Sequence, residues 1–199
     1  GGHFLDGQDH PSFHFIFVLF ITICVTLHAL CALRRFPTSY HQCRDIKAHY
    51  RLLRHPDTTL WMIQLVTAFL LFLFVFPHVM GMLTNPSGFD PNLIGVHTYH
   101  SGMLYTFIFL VITELHGMIG LYRLAVKWDI FAKNPERDII DQRVGDRAGL
   151  RKTMLVIAFL MIVCGTLTAW TNYSIGAEQV EAGQEATRYV IPDELNWWK

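Results

Sequence analysis

Four apolar runs, at residues 12–34, 59–84, 100–125 and 151–173, constrain this chain more than anything else in it. Each is long enough to cross about 30 Å of hydrocarbon, which takes roughly 20 helical residues. Hydrocarbon offers no partner to a backbone N–H or C=O, so only helices and closed barrels span a bilayer. A barrel strand would alternate apolar and polar residues, and these runs do not. The expected fold class is therefore all-α integral membrane, a transmembrane helix bundle, with residues 1–199 as one domain. Charged residues are 16% of the chain, below the roughly one quarter of soluble domains, which agrees.

The links between the runs differ in charge. The link at 34–58 carries Arg34, Arg35, Arg44, Lys47, Arg51 and Arg54. The link at 123–152 carries Arg123, Lys127, Lys133, Arg137, Arg143, Arg147, Arg151 and Lys152. The link at 84–100, "TNPSGFDPNLIGVHTYH", has no Lys or Arg, and neither have residues 1–11. Basic loops stay on the cytoplasmic side, so the two basic links are expected there and the C-terminal tail outside. Residues 38–55, polar and basic with scattered apolar positions, read as a short amphipathic helix at that interface. Asp57 or Thr58 can cap the second run, just after Pro56.

Formal net charge is zero, so no field points to a nucleic-acid partner. Cys24, Cys31, Cys43 and Cys164 form no CxxC or CxxCH, so neither a covalent c-type haem nor a thiolate zinc site is signalled. Cys24 and Cys31 are expected in the core. Nothing resembles a signal peptide, and the first residue is Gly rather than Met, so the gene product is expected to start upstream.

His28, His78 and His116 lie within runs. An ionisable residue at membrane depth is costly and marks a partnered, functional position. His28 precedes Arg34 by six residues and His116 precedes Arg123 by seven, so both lie about 9–10 Å from the cytoplasmic end. Equal depth on two helices is what bis-histidine ligation of one haem iron requires. His78 is near the outer end of its run, about 15 Å away along the membrane normal, and belongs to a second level. Arg35 follows His28, and Arg123 follows His116, by two helical turns on nearly the same face. Lys127 lies almost in line further on. Such cations suit haem propionates. Gly81, Gly117 and Gly120 near the histidines leave room for a flat macrocycle, though small residues also serve plain helix contacts. The plain alternative is an interhelical hydrogen bond from each histidine. His41, His49 and His55 read as solvated, His97 and His100 as side chains at the outer mouth, and His3, His10 and His14 as too near the outer surface to be first choices.

Glu114 stands two residues before His116, about 200° round the helix, so the two cannot face the same partner. It reads either as a proton relay or as a neutral carboxyl bonded to a backbone carbonyl.

The stretches "LHALCALRRFP" at 27–37, "HPDTTLWMIQ" at 55–64 and above all "ELHGMIGLYRLAVKW" at 114–128 resemble the dihaem cytochrome b subunit of quinol:fumarate reductases, the type with one large membrane anchor. The resemblance covers about residues 11–173. It implies a five-helix bundle, of which four spans are present here, holding two b haems stacked across the bacterial cytoplasmic membrane. The implied partners are an iron–sulfur subunit and an FAD-bearing flavoprotein subunit on the cytoplasmic side, with a dimer of the complex as one assembly it allows. The implied activity is menaquinol oxidation, with electrons passed through the haems to the clusters and flavin for reduction of fumarate to succinate. By resemblance, His28 and His116 ligate the haem nearer the iron–sulfur subunit, and His78 supplies one ligand of the outer haem. Trp61 and Lys127 match positions near the inner propionates, and Glu114 matches a proton-carrying glutamate. The family's first helix, which supplies the fourth ligand, has no counterpart in this sequence. Its quinol-site carboxylate falls at about the point where the chain starts, and Asp6 and Asp9 are the nearby acids.

Other readings stay open at this level. One is an anchor of a succinate:quinone reductase, or the cytochrome b of a hydrogenase or another dehydrogenase. A second is a haem-free proton or metal transporter using His and Glu in the membrane. No nucleotide or flavin motif occurs in the loops, so fumarate chemistry would belong to partner chains.

Overall fold

A computed structural model describes residues 11–34, 36–53, 55–84, 90–128, 130 and 139–184. All regular structure among them is helical: α1 (Pro11–Leu33), α2 (Tyr40–Leu53), α3 (Pro56–Thr84), α4 (Pro91–Ser101), α5 (Met103–Lys127) and α6 (Ile139–Glu181). Four candidate membrane spans lie in these helices, at Ser12–Leu33, Pro56–Thr84, Met103–Lys127 and Arg147–Glu181. The fold class is thus an all-α membrane bundle, as the four apolar runs require. α2 is the amphipathic segment expected at 38–55.

Two compact units divide the described chain, and α3, α5 and α6 each contribute a segment to both. The first comprises α1, the C-terminal part of α3, α4, the start of α5 and the end of α6. The second comprises α2, the rest of α3 and α5, and α6 up to Thr166.

Large apolar side chains such as Phe13, Phe20, Phe72, Phe76, Phe159 and Leu167 point outward. In water such a surface would drive association; in hydrocarbon it is the matching solvent face. Hydroxyls on these helices fold back on their own backbone. Thr22 donates to the Val18 carbonyl at 2.7 Å, Thr113 to Phe109 at 2.7 Å and Thr166 to Ile162 at 2.7 Å. Each satisfies a donor that hydrocarbon could not.

Cys24 and Cys31 correct the expectation of a core position. Both are exposed, as are Cys43 and Cys164. They sit on α1, whose span is only 6% buried within the chain. Apolar character there answers the bilayer rather than an interior.

The link at 84–100 is not a plain loop. Asp90, 1% exposed, caps α4 by accepting from the Asn92 and Leu93 N–H groups, with Pro91 in the first turn. Asp-Pro is a strong helix start, since Pro needs no N–H partner there. Gly102, at φ 84°, ends α4 and donates to the Thr98 carbonyl at 3.1 Å, so the third span starts at Met103 rather than 100. α4 packs on α6 through a backbone contact. A Cβ on Gly95 would lie 2.9 Å from the Asn172 carbonyl oxygen, and one on Gly176 would run into the Gly95 backbone. The Tyr99 and Tyr173 rings lie 5.2 Å apart beside this contact.

α6 runs past both ends of the expected span because no proline falls between 136 and 191. It stops where Gly183 adopts φ 65°. The Gln184 N–H then reaches the Gln179 carbonyl at 2.8 Å and the Gly183 N–H the Val180 carbonyl at 3.0 Å, a Schellman ending. At the start of α3, His55 is the cap, and not Asp57 or Thr58. Its Nδ1 accepts from the Asp57 N–H at 3.2 Å, and its carbonyl from the Thr58 N–H at 3.1 Å.

Gly176→Val should separate α4 from α6, because the atoms it meets are backbone and cannot rotate away. The expected cost is about 1–3 kcal/mol or more, as for other overpacked sites. It would be read as a lower thermal midpoint of the detergent-purified protein. An unchanged midpoint would show that the α4–α6 contact yields easily.

Candidate functional site

In the second unit α3 and α5 pack antiparallel. Asp57 meets Tyr122, Gln64 meets Arg123, and Thr67 meets His116, so the numbering falls on one helix as it rises on the other. On α3, Asp57, Trp61, Gln64 and Thr67 recur at three- and four-residue spacing and form one stripe. On α5, His116, Gly120 and Arg123 do the same. Polar groups of one stripe are answered by the other.

His116 is half-buried at the centre of this contact. Its Nδ1 lies 3.2 Å from the Gln64 carbonyl oxygen and 3.2 Å from the Thr67 hydroxyl. The Gln64 side chain extends the other way, where its Oε1 accepts from the Arg123 guanidinium. Gly120 sits between these contacts. A Cβ there would stand 3.1 Å from the Gln64 amide nitrogen, so a small residue leaves the carboxamide its place.

One end of the same contact is closed by a polar cluster. The Asp57 carboxylate accepts from the Tyr122 hydroxyl at 2.7 Å and from the Arg151 guanidinium on α6 at 3.5 Å. Tyr122 is 2% exposed and joins Leu60 and Ile119 in the core of this unit, with Val126, Leu150 and Met154 packed against them. A small cavity of about 10 Å³ beside it is lined by Leu115, Met118, Leu155 and Ala158 among others, too small for a ligand.

The remaining candidate positions separate as follows. His28 is exposed on α1, and His78 is exposed on α3 directly after Pro77; both belong to the first unit. His97 is exposed on α4. Glu114 is half-buried on α5, Trp61 is half-buried on α3, and Lys127 is exposed at the end of α5. Gly81, one turn beyond His78, and Gly117, beside His116, have nothing within 4 Å of where a Cβ would stand. Arg35, Asp6 and Asp9 lie outside the described residues. Among the described residues no three His, Cys, Asp or Glu side chains gather as a metal-binding group.

Gln64, Thr67, Tyr122, Arg151 and the cap at His55 escaped the sequence reading. Gln64 carried a usable signal: it is a polar residue inside an apolar run, the same kind of feature that singled out His116 and Glu114.

A multi-pass all-helical membrane protein with buried polar contacts between its spans is the class this geometry defines. The family model described as succinate dehydrogenase/fumarate reductase transmembrane subunit matches residues 41–169, and the chain belongs to that family. The chain is 35% identical over 173 residues to the fumarate reductase cytochrome b subunit of Helicobacter pylori, covering 86% of this chain and 63% of that one. It is 36% identical over 169 residues to the fumarate reductase cytochrome b subunit of Wolinella succinogenes, covering 84% of this chain and 61% of that one. The chain thus spans less than two thirds of the length of these relatives.

Removal of the Tyr122 hydroxyl should cost stability without altering the fold. Tyr122→Phe is expected to lose about 0.5–1.5 kcal/mol, the usual net worth of one hydrogen bond. Asp57→Ala should lose more, because Tyr122 and Arg151 both lose their acceptor. Thermal unfolding of both variants in detergent would rank them, and the reverse order would remove Asp57 from the centre of the cluster.

Proposed function

We propose that this chain is the membrane cytochrome b subunit of a quinol:fumarate reductase. In this reading it is a multi-pass protein of the bacterial cytoplasmic membrane that oxidises menaquinol. It passes the electrons on to iron–sulfur and flavoprotein subunits, where fumarate is reduced to succinate. The single observation that carries the reading is His116: an imidazole within a membrane span, oriented through Nδ1, in a chain of this family. A carbonyl oxygen can only accept, so the Gln64 contact calls for a proton on Nδ1, and the lone pair then lies on Nε2, the atom a ligand needs. Gly117 beside it leaves open space.

The three imidazoles of this donor set would supply both ligands of one haem b and one ligand of a second; when bound, haem supplies a one-electron carrier inside hydrocarbon. His28 and His116 are the ligands of the inner haem, by their matched depth in the sequence. His78 is one ligand of the outer haem. Arg35, Arg123, Lys127 and Trp61 neutralise and hydrogen-bond the inner propionates, with Gln64 steadying Arg123. Glu114 carries a proton on the face of α5 turned from His116, and Asp6 and Asp9 serve the quinol site. The basic links face the cytoplasm, on the side of the partner subunits. The family description names succinate dehydrogenase as well, so an anchor working in the opposite direction is the second reading. The quinone potential, and not this chain, sets that direction.

A reduced-minus-oxidised optical spectrum of the purified complex should give b-type α-bands. Absence of such bands would leave a haem-free transporter as the better reading. His28→Ala and His116→Ala should each remove the same one of two haems, and His78→Ala the other. Full haem content in any of the three would remove that residue from the ligand set.

Glu114→Gln keeps shape but cannot exchange a proton. It should slow quinol oxidation while leaving haem content, and fumarate reduction from a soluble artificial donor, near wild type. Quinol turnover at the wild-type rate would make Glu114 a structural residue.

A further inference from the structure

We propose that Thr67 and Gln64 of α3 are the positioning residues of His116: together they hold its imidazole as the Nδ1–H tautomer and tune its strength as a donor through Nε2. This rests on the reading of His116 as a haem ligand.

Nδ1 of His116 lies 3.2 Å from the Gln64 carbonyl oxygen and 3.2 Å from the Thr67 Oγ1. The carbonyl has no proton to give. The hydroxyl has one, and its two shorter contacts run along its own helix, to the Ile63 carbonyl at 2.9 Å and the Gln64 carbonyl at 3.1 Å. Donating to either of them, Thr67 faces His116 with a lone pair. Both neighbours accept, and Nδ1 must donate. A lone pair on Nδ1 would instead face the Gln64 carbonyl lone pairs in a low-dielectric interior, an unfavourable pairing.

The geometry is also rigid. Thr67 is 4% exposed, and its β-branched side chain has few rotamers in a helix. The Gln64 carbonyl is part of the α3 backbone and cannot turn away. On its other side the Gln64 carboxamide is tied to Arg123, one helical turn beyond Gly120 on the same α5 stripe. One turn of α3 thus sets the tautomer and ring plane of His116 and fixes a cation two turns along α5.

A ligating imidazole that donates its second N–H to an oxygen acceptor is more basic at the coordinating nitrogen, and such outer partners orient the ring. More electron donation favours the oxidised metal. The hydroxyl of Thr67 should accordingly hold the inner haem at a lower potential than the Gln64 carbonyl alone would.

Redox titration of the whole complex tests this. Thr67→Val keeps the shape of the side chain and removes the acceptor; Thr67→Ser keeps the acceptor and trims a methyl group. With Thr67→Val, the midpoint of the haem lost in His116→Ala should move upward. The low-spin ferric EPR signal of that haem should shift with it, and the other haem should keep its midpoint. Thr67→Ser should restore both values toward wild type. If Thr67→Val does not assemble, Thr67→Ala is measured against Thr67→Ser in the same way. Unchanged midpoints and EPR signals, or equal shifts in the hydroxyl-free and Ser variants, overturn the positioning role while His116 stands as a ligand. Full haem content in His116→Ala overturns the ligand reading, and the positioning role falls with it.

Discussion

Hydrocarbon gives a polar group no alternative partner, and the α3–α5 contact is where this chain meets that constraint. The imidazole, guanidinium and phenol that α5 carries, at His116, Arg123 and Tyr122, all end on the α3 stripe of Thr67, Gln64 and Asp57. Between two apolar helices in lipid there is little hydrophobic force, because lipid tails are as apolar as leucine. Directional contacts of this kind therefore fix register and rotation. If α5 turned by one residue about its axis, some 100°, His116 would leave Gln64 and Thr67, and Tyr122 would leave Asp57.

The two ends of this contact do different work. Asp57, Tyr122 and Arg151 join three helices beside a packed core of Leu60 and Ile119, and their carboxylate is partly exposed. Water and salt would weaken the ion pair there, so its value is geometric more than energetic. Further along α3, Thr67 is enclosed, and its bonds are harder to exchange. The partly exposed end is screened by water, while the enclosed end keeps an imidazole in one orientation.

Much of this was legible in the sequence because the bilayer simplifies the code. Twenty apolar residues in a row have one outcome, so α1, α3, α5 and α6 were readable as spans, and α2 as an amphipathic helix within a basic link. α4 was not, although "FDPN" carries a cap and a first-turn proline: eleven residues are too few for a span, and the segment was read by its lack of Lys and Arg and as the outer mouth holding His97 and His100. The length of α6 was missed because hydropathy marks where the membrane ends, and not where the helix does. Cys24 and Cys31 were misplaced because apolar means inside only when the solvent is water. At the site, His116 and Glu114 stood out as ionisable groups in an apolar run. Gln64 and Thr67 are neutral and stood out less, and which carbonyl an imidazole finds depends on a helix pairing that no single run of sequence encodes.

Glu114 and His116 mark the point at which one helix serves two partners. Two residues apart, they diverge by about 200°, so whatever holds His116 cannot also hold Glu114. The His116 face is committed: its neighbours on α5 are Gly120 and Arg123, and α3 fills the space before them. Beside Glu114 the helix offers Leu115 and Met118, which line the contact with α6 and have no polar atoms but a thioether. The imidazole therefore has a fixed oxygen environment suited to one tautomer, whereas the carboxyl stands on a different face of the same turn. One turn of α5 thus presents its two ionisable groups to two different sides.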